Sequence, residues 1–402
     1  MNTNKKQFWT LRYILLNATY FAAFCTIHAC AAVYLLEQGF SNAEVGVLLA
    51  VANIVSAVVQ PIAADIIDRP GWLTNRRFIM ICVAIIGIGS LLLMFLHSSK
   101  IAVFIIYALI YMIQFAYQPV MTALCFEYQK AGADIMYGLA RGLGSASFAV
   151  TSAIIGKAVE KNGVSLLLIV NIVAMLFSAV LIFFFKKPEN AASSDPENSP
   201  KVKDNGGMAA FIRKYPAYML FLVGTICFFF AHNMINDFMI QIIRNLGGGE
   251  AQLGYANFLQ AILELPVMAL IGIVLKKIAP QKLMVFSGAA FLVKILILLF
   301  AANMATMYIS QSFQLFAYAV FIPASAYYVS NTMEEADQVK GQAFITSAIT
   351  MGGVFSNLIS GFILDHLGMK SMLVTGSVVC AIGVVIAFAA MTKLPHYRKT
   401  AG

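Results

Sequence analysis

Three charged residues lie deep in apolar runs of this 402-residue chain: Arg141, Glu264 and Lys294. A charge at the centre of a bilayer costs about 2.5–3.5 kcal/mol on insertion scales, so such residues pair with one another or face a wet cavity. Burial favours the neutral form of a carboxyl and a nearby cation favours the charged form. Glu264 is therefore the candidate proton carrier, and Lys294 and Arg141 are the cations able to switch it. A static ion pair is the plainer reading of the same residues.

Polar side chains recur around these charges at helical spacing. Asn17, Tyr20, Phe24 and His28 share a face, as do Asn53, Ser56 and Gln60, and then Tyr107, Tyr111, Gln114 and Gln118. His232, Asn233, Asn236 and Asp237 fall within two turns, followed by the stripes Asn257, Gln260, Glu264 and Gln311, Gln314, Tyr318. Interhelical hydrogen bonding explains any one of these amides. Together they predict a shared cavity, because Arg, Asn and Gln offer the paired donors and acceptors that hydroxyl-rich solutes need.

The elements that hold these residues must cross a membrane. The chain is 60% hydrophobic and 11% charged, whereas soluble domains average about 45–50% apolar and about 25% charged. Runs of about 20 apolar residues recur as spanning helices require. Twelve spans are predicted, near 8–36, 43–67, 77–97, 100–127, 135–159, 164–186, 216–243, 251–275, 282–302, 305–332, 341–365 and 370–392. The first is too long for a cleavable signal and lacks a small-residue cleavage site. The six cysteines all sit in apolar runs without metal-ligand spacing, so they read as small core residues and no metal site is expected.

An internal repeat orders the spans. Ala43-Glu44-Val45-Gly46 is echoed by Ala251-Gln252-Leu253-Gly254, its glycine 208 residues on; Gly156 and Gly163 are echoed by Gly361 and Gly368, 205 residues on. A same-orientation duplication in a membrane chain points to a transporter whose halves rock around one site. The expected organisation is a six-span half over 1–186, a polar linker over 187–207 and a second half over 208–402. With the N-terminus inside, 20 Lys/Arg fall on inner segments and 5 on outer loops, as the positive-inside rule requires. The net charge of +9 then reflects orientation, and no basic patch on a soluble domain invites nucleic acid. Both termini are expected in the cytoplasm of a multi-pass cell-membrane protein. A monomer is expected, because one chain encloses its own site.

With these features the chain resembles the major facilitator superfamily over essentially its whole length. Gln60-Pro61, Asp68-Arg69, Gly71 and Arg76-Arg77 are similar to the superfamily's signature loop between spans 2 and 3. The resemblance implies that Asp68, Arg69, Arg76 and Arg77 form a cytoplasmic gate. Ala64 departs from the usual glycine. Within the superfamily the chain resembles the oligosaccharide:proton symporters. Phe8-Trp9 opens span 1 as in that family, and Tyr137-Gly138-Leu139-Ala140-Arg141-Gly142 is similar to its span 5 motif. The resemblance places Arg141 on a sugar-binding arginine, Phe148 on a ring-stacking aromatic, Lys294 near a coupling arginine and Glu264 near an essential carboxylate. It departs in span 4, where Thr122 or Ala123 replaces a carboxylate and Glu127 lies a turn away. Asn233 and Asn236 replace paired aspartates, and the charged network of span 10 gives way to Gln314, Tyr318 and Phe321.

The fold expectation is thus an all-α membrane protein of twelve helices in two pseudo-symmetric halves. The functional expectation is proton-coupled symport of a sugar or related polyhydroxylated solute, with Glu264 and Lys294 in coupling. Arg141, Phe148, Asn17, Tyr20, His28, Gln114, Gln118, His232, Asn233, Asn236, Gln260, Gln314 and Tyr318 would bind solute. Proton-coupled efflux of drug-like compounds and nucleoside uptake are the alternatives, and sodium is the other possible ion. No P-loop or nucleophile motif points to an enzyme, and no cofactor is expected.

Overall fold

The computed structural model describes residues 3–68, 72–96, 98–187 and 208–393, and the regular structure among them is helical. Contacts divide it into two units, Met1–Asn198 with Gly249–Ala261, and Ser199–Gly248 with Ile262–Gly402. The first unit carries α1 (Thr3–Phe24), a π-turn (Cys25–Ala29), α2 (Ala31–Glu37), α3 (Asn42–Asp68), α4 (Asn75–Phe95), α5 (Lys100–Lys130), α6 (Tyr137–Asn162) and α7 (Ser165–Phe184). Next come α8 (Met208–Lys214), α9 (Pro216–Asp237), α10 (Met239–Asn245), α11 (Glu250–Leu275) and α12 (Pro280–Leu299). The chain continues with α13 (Met304–Ser312), a 3₁₀ turn (Phe313–Leu315), α14 (Tyr318–Thr332) and α15 (Glu335–Met391). The N-terminal end of α11 groups with the first unit, and the rest of these later helices with the second.

Among the described residues nine helices are long and apolar enough to cross a membrane, or ten if the bent α1–α2 pair is one span. Counting α15 as two helices meeting at Gly368, and adding the 26-residue α11, the architecture is consistent with twelve spans. The linker expected over 187–207 lies, beyond Lys187, outside the described residues.

The repeated motifs are helix-ending devices. The Ser41 amide donates to Glu44 Oε2 at 2.7 Å, and the Glu44 amide donates to Ser41 Oγ at 3.2 Å, a capping box that starts α3. At the start of α11 the Gly249 amide donates to Gln252 Oε1 at 2.9 Å. Glu44 and Gln252 are thus the same reach-back cap in the two copies. Gly163 ends α6 at φ 83°, ψ 168°, and Gly368 interrupts α15 at φ 78°, ψ 177°, a backbone region open almost only to glycine. Within the first unit a Cβ on either Gly156 or Gly254 would run into the other helix's backbone, so these two glycines permit a close crossing.

The structure corrects the expectation of unbroken spans in three places. Span 1 bends by 50° between its two helices at the π-turn, span 7 breaks at Phe238, and span 10 breaks between Phe313 and Ala317. No proline or glycine marks any of the three breaks in the sequence. In two of them a hydroxyl from another helix receives a backbone carbonyl at the break: Tyr107 donates to Ile27 O at 2.6 Å, and Ser287 donates to Ala317 O at 2.6 Å. At membrane depth such a partner is what makes non-helical backbone tolerable.

Candidate functional site

In the second unit the two deep charges are joined by an amide. Lys294 on α12, fully buried, donates from Nζ to Gln314 Oε1 at 2.8 Å. Gln314, in the 3₁₀ turn of span 10, donates from Nε2 to Glu264 Oε1 on α11, also at 2.8 Å. Hydrogen bonds with an ionised partner are about twice as strong as neutral ones, and two of them here offset the cost of placing both charges in the membrane. Ser310 also donates to the Lys294 carbonyl at 2.7 Å, fixing α13 against α12.

An aromatic box adjoins this chain. His232 lies face to face with Tyr318, centroids 5.2 Å apart, and edge-on to Phe291 and Phe229. Its Nε2 is 3.0 Å from Asn236 Nδ2, which donates to it when that nitrogen is unprotonated. Among the described residues, His232 Nδ1 and Asn236 Oδ1 are buried without hydrogen-bond partners. Asn233 donates to Phe229 O at 2.9 Å and packs beneath Gly353 of α15. Gln260 is buried one turn before Glu264 on α11.

The first unit holds a corresponding arrangement. His28 sits in the π-turn, stacked on Phe24 at 3.9 Å and against Tyr111 and Phe115 at 3.8 and 4.5 Å. Among the described residues, both its ring nitrogens, Gln114 Oε1 and Asn17 Oδ1 are buried polar atoms without hydrogen-bond partners. Phe148 approaches the same cluster through Phe24, centroids 6.5 Å apart. Arg141 lays its guanidinium over Phe21 at 4.5 Å and donates to Ser145 Oγ at 2.7 Å. Gly144 makes this possible, since a Cβ there would collide with Phe21.

Other expected residues serve the frame. Tyr20 is fully buried and donates to Gln114 O at 3.0 Å. Gln114 Nε2 donates to Asn171 Oδ1 at 3.2 Å, and Asn171 donates to Ser90 Oγ at 2.6 Å, a buried chain linking α5, α7 and α4. Gln118 is half-buried on α5. Arg76 donates to Ile182 O and Phe183 O at 3.0 and 2.7 Å, capping the carbonyl end of α7, and Arg77 donates to Trp72 O at 2.6 Å. Arg69 and the Asp68 side chain lie outside the described residues. Glu127 accepts from Asn75 at 2.9 Å and pairs with Lys187 at the C-terminal end of α5.

Phe21, Phe115, Ser145, Asn171, Phe229 and Phe291 are site neighbours that sequence reasoning passed over. Ser145 was findable, one helical turn after Arg141. The phenylalanines were not, because nothing in a run of lipid-compatible residues marks which ring turns inward.

A family match and the fold together define a membrane transporter of the major facilitator type. A family profile described as "MFS_1 like family" matches residues 8–375, and the chain belongs to that family. Among solved structures, the nucleoside transporter NupG is 16% identical with a TM-score of 0.78, covering 96% of this chain and 98% of that one. A bacterial homologue of the human lysosomal transporter Spinster is 13% identical with a TM-score of 0.75, covering 98% of each chain. An auto-inhibited POT family peptide transporter is 11% identical with a TM-score of 0.74, covering 98% of this chain and 99% of that one. No curated protein sequence matches significantly.

Proposed function

We propose that the chain is a proton-coupled symporter for a sugar or related polyhydroxylated solute. The observation that carries this reading is the Lys294–Gln314–Glu264 chain, a half-buried carboxylate tied through a buried amide to a buried cation, on three different spans. Such a carboxyl gains or loses its proton when the cation moves. Arg141 with Ser145, and the unpartnered nitrogens and oxygens of His28, Gln114 and Asn17, supply donors and acceptors for hydroxyl groups. Rocking of two halves exposes the solute site to each side in turn. The charge distribution supports a cell-membrane protein with cytoplasmic termini.

One observation favours nucleosides within this class. The donors lie beside flat rings, Phe21, Phe24, Tyr111 and Phe148, and a nucleoside presents a ribose for the first and a base for the second. NupG, one of the structures sharing this fold, is a nucleoside transporter.

Uptake of labelled sugars and nucleosides into right-side-out vesicles tests the proposal, with proton and sodium gradients imposed separately. The expected result is accumulation driven by the proton gradient and collapsed by a protonophore. Accumulation that persists at wild-type level in Glu264→Gln would remove the coupling role, and accumulation driven only by sodium would remove the ion.

A further inference from the structure

Resting on that reading, we propose that Gln314 is a positioning residue that links the proton on Glu264 to the hinge of span 10. An amide is polar in a fixed sense: its oxygen only accepts and its nitrogen only donates. In the observed arrangement Oε1 takes the Lys294 ammonium and Nε2 gives to the Glu264 carboxylate. Both contacts are charge-assisted only while Lys294 is protonated and Glu264 is ionised.

A proton added to Glu264 converts the second contact into a neutral one and halves its strength. The amide cannot restore the loss by turning over, because its NH₂ end would then face the Lys294 ammonium. The site therefore has one well-satisfied arrangement with Glu264 ionised and a weakened one with it neutral.

The placement of Gln314 gives this a mechanical consequence. It lies in the 3₁₀ turn Phe313–Leu315, between two helices whose hydrogen-bond ladder is already interrupted. At that interruption Ala317 has ψ −94° and its carbonyl is held by Ser287. A segment with few ladder bonds is the part of a span that opens at least cost, and Gln314 is its tie to both neighbouring spans. Protonating Glu264 loosens the tie, so the proton is read at the hinge rather than only at the carboxylate. Lys294 from α12, His232 from α9 and Tyr318 from α14 are the other titratable groups around the chain. Lys294, which donates to Gln314 directly, and His232 are the groups able to imitate Glu264 in a pH profile.

The test is hydrogen–deuterium exchange over the segment around 313–317 in purified protein in lipid, corrected for intrinsic rates. The state of Glu264 is read separately from the infrared carboxylic-acid band that Glu264→Gln removes. In the wild type, exchange should rise about tenfold as that band appears, the ratio expected for weakening one charge-assisted bond. Glu264→Gln should exchange at the fast rate at every pH. Gln314→Met, similar in volume, should lose the pH dependence while the band still titrates. Wild-type exchange that ignores the band overturns the proposal without any variant, as does a Gln314→Met protein that keeps the wild-type dependence. Retained pH dependence in Glu264→Gln would assign the switch to Lys294 or His232 and overturn it as well. Uptake measurements are not involved, so failure of the symport reading is a separate result.

Discussion

His232 stacks on Tyr318 with ring centroids 5.2 Å apart and planes 20° from parallel. His28 meets Tyr111 at 3.8 Å in the other unit, and the two histidines are 204 residues apart, close to the spacing of the repeat. The duplication has kept a histidine against a tyrosine in each copy. The two differ in what their nitrogens do, because His232 has Asn236 and His28 has no partner on either nitrogen. A buried polar atom left unpaired costs about 1–3 kcal/mol. His28→Phe is therefore expected to raise the unfolding temperature in detergent, and His232→Phe is not. If the His28 nitrogens serve the solute, the same variant loses uptake; a His28→Phe protein that is both less stable and fully active would contradict both statements.

Arg141 depends on the shape of its head group. Its guanidinium carbon lies 4.5 Å from the Phe21 ring centroid while one nitrogen reaches Ser145, and the compact ammonium of lysine does not span both contacts at once. In Arg141→Lys the KM for uptake should rise about tenfold, the equivalent of one lost charge-assisted bond. Ser145→Ala should have a smaller effect in the same direction. An unchanged KM in Arg141→Lys, measured over the full concentration range, would leave the charge alone as its contribution.

Glycine positions separate sharply by environment. A Cβ at Gly383 would stand 2.5 Å from Cys227 Cβ and 3.0 Å from Gly224 O, where α15 and α9 cross. Gly383→Ala should destabilise by about 1–3 kcal/mol, as overpacking does. At Gly142 nothing lies within 4 Å of a built Cβ, so Gly142→Ala should be neutral or gain up to about 1 kcal/mol of helix propensity. Thermal unfolding of the two variants side by side decides the matter.

An ion cluster at the start of α15 makes a pH prediction. Lys214 Nζ lies 2.7 Å from both Glu334 Oε2 and Asp337 Oδ2, and Tyr215 donates to Asp337 at 3.1 Å. The Lys214 hydrogen bond holds the Asp337 carboxyl below its usual range, and the lysine is raised in turn. A depressed carboxylate stabilises the fold above its unfolded pKa of about 3.9, and the contribution disappears as pH falls through the lower folded value. Asp337→Asn should thus be less stable than wild type at neutral pH, with the difference vanishing in acid. A difference constant across that range would mean that charge is not what Asp337 contributes.

Much of the frame was legible because it depends on single segments. Hydropathy marks each run that must leave water. The motifs around Gly46 and Gly254 were recognisable as copies, although their use as caps became apparent only with the Ser41–Glu44 and Gly249–Gln252 bonds. The polar stripes were legible as stripes, but their members divided unpredictably. Tyr20 spends its hydroxyl on a neighbouring backbone, whereas His28 has nothing to bind.

By itself the amino-acid sequence determined that this is a duplicated membrane protein and that three of its charges are held at a cost. Both follow from transfer free energies that each residue carries wherever it sits. Only the tertiary structure decided that a glutamine stands between two of those charges, and that spans 1, 7 and 10 are broken. Gln314 finds Lys294 20 residues away and Glu264 50 residues away. The carbonyl at Ile27 is held by Tyr107, 80 residues on. Such partnerships depend on how helices cross and in what register, and no local pattern encodes the register of a distant helix.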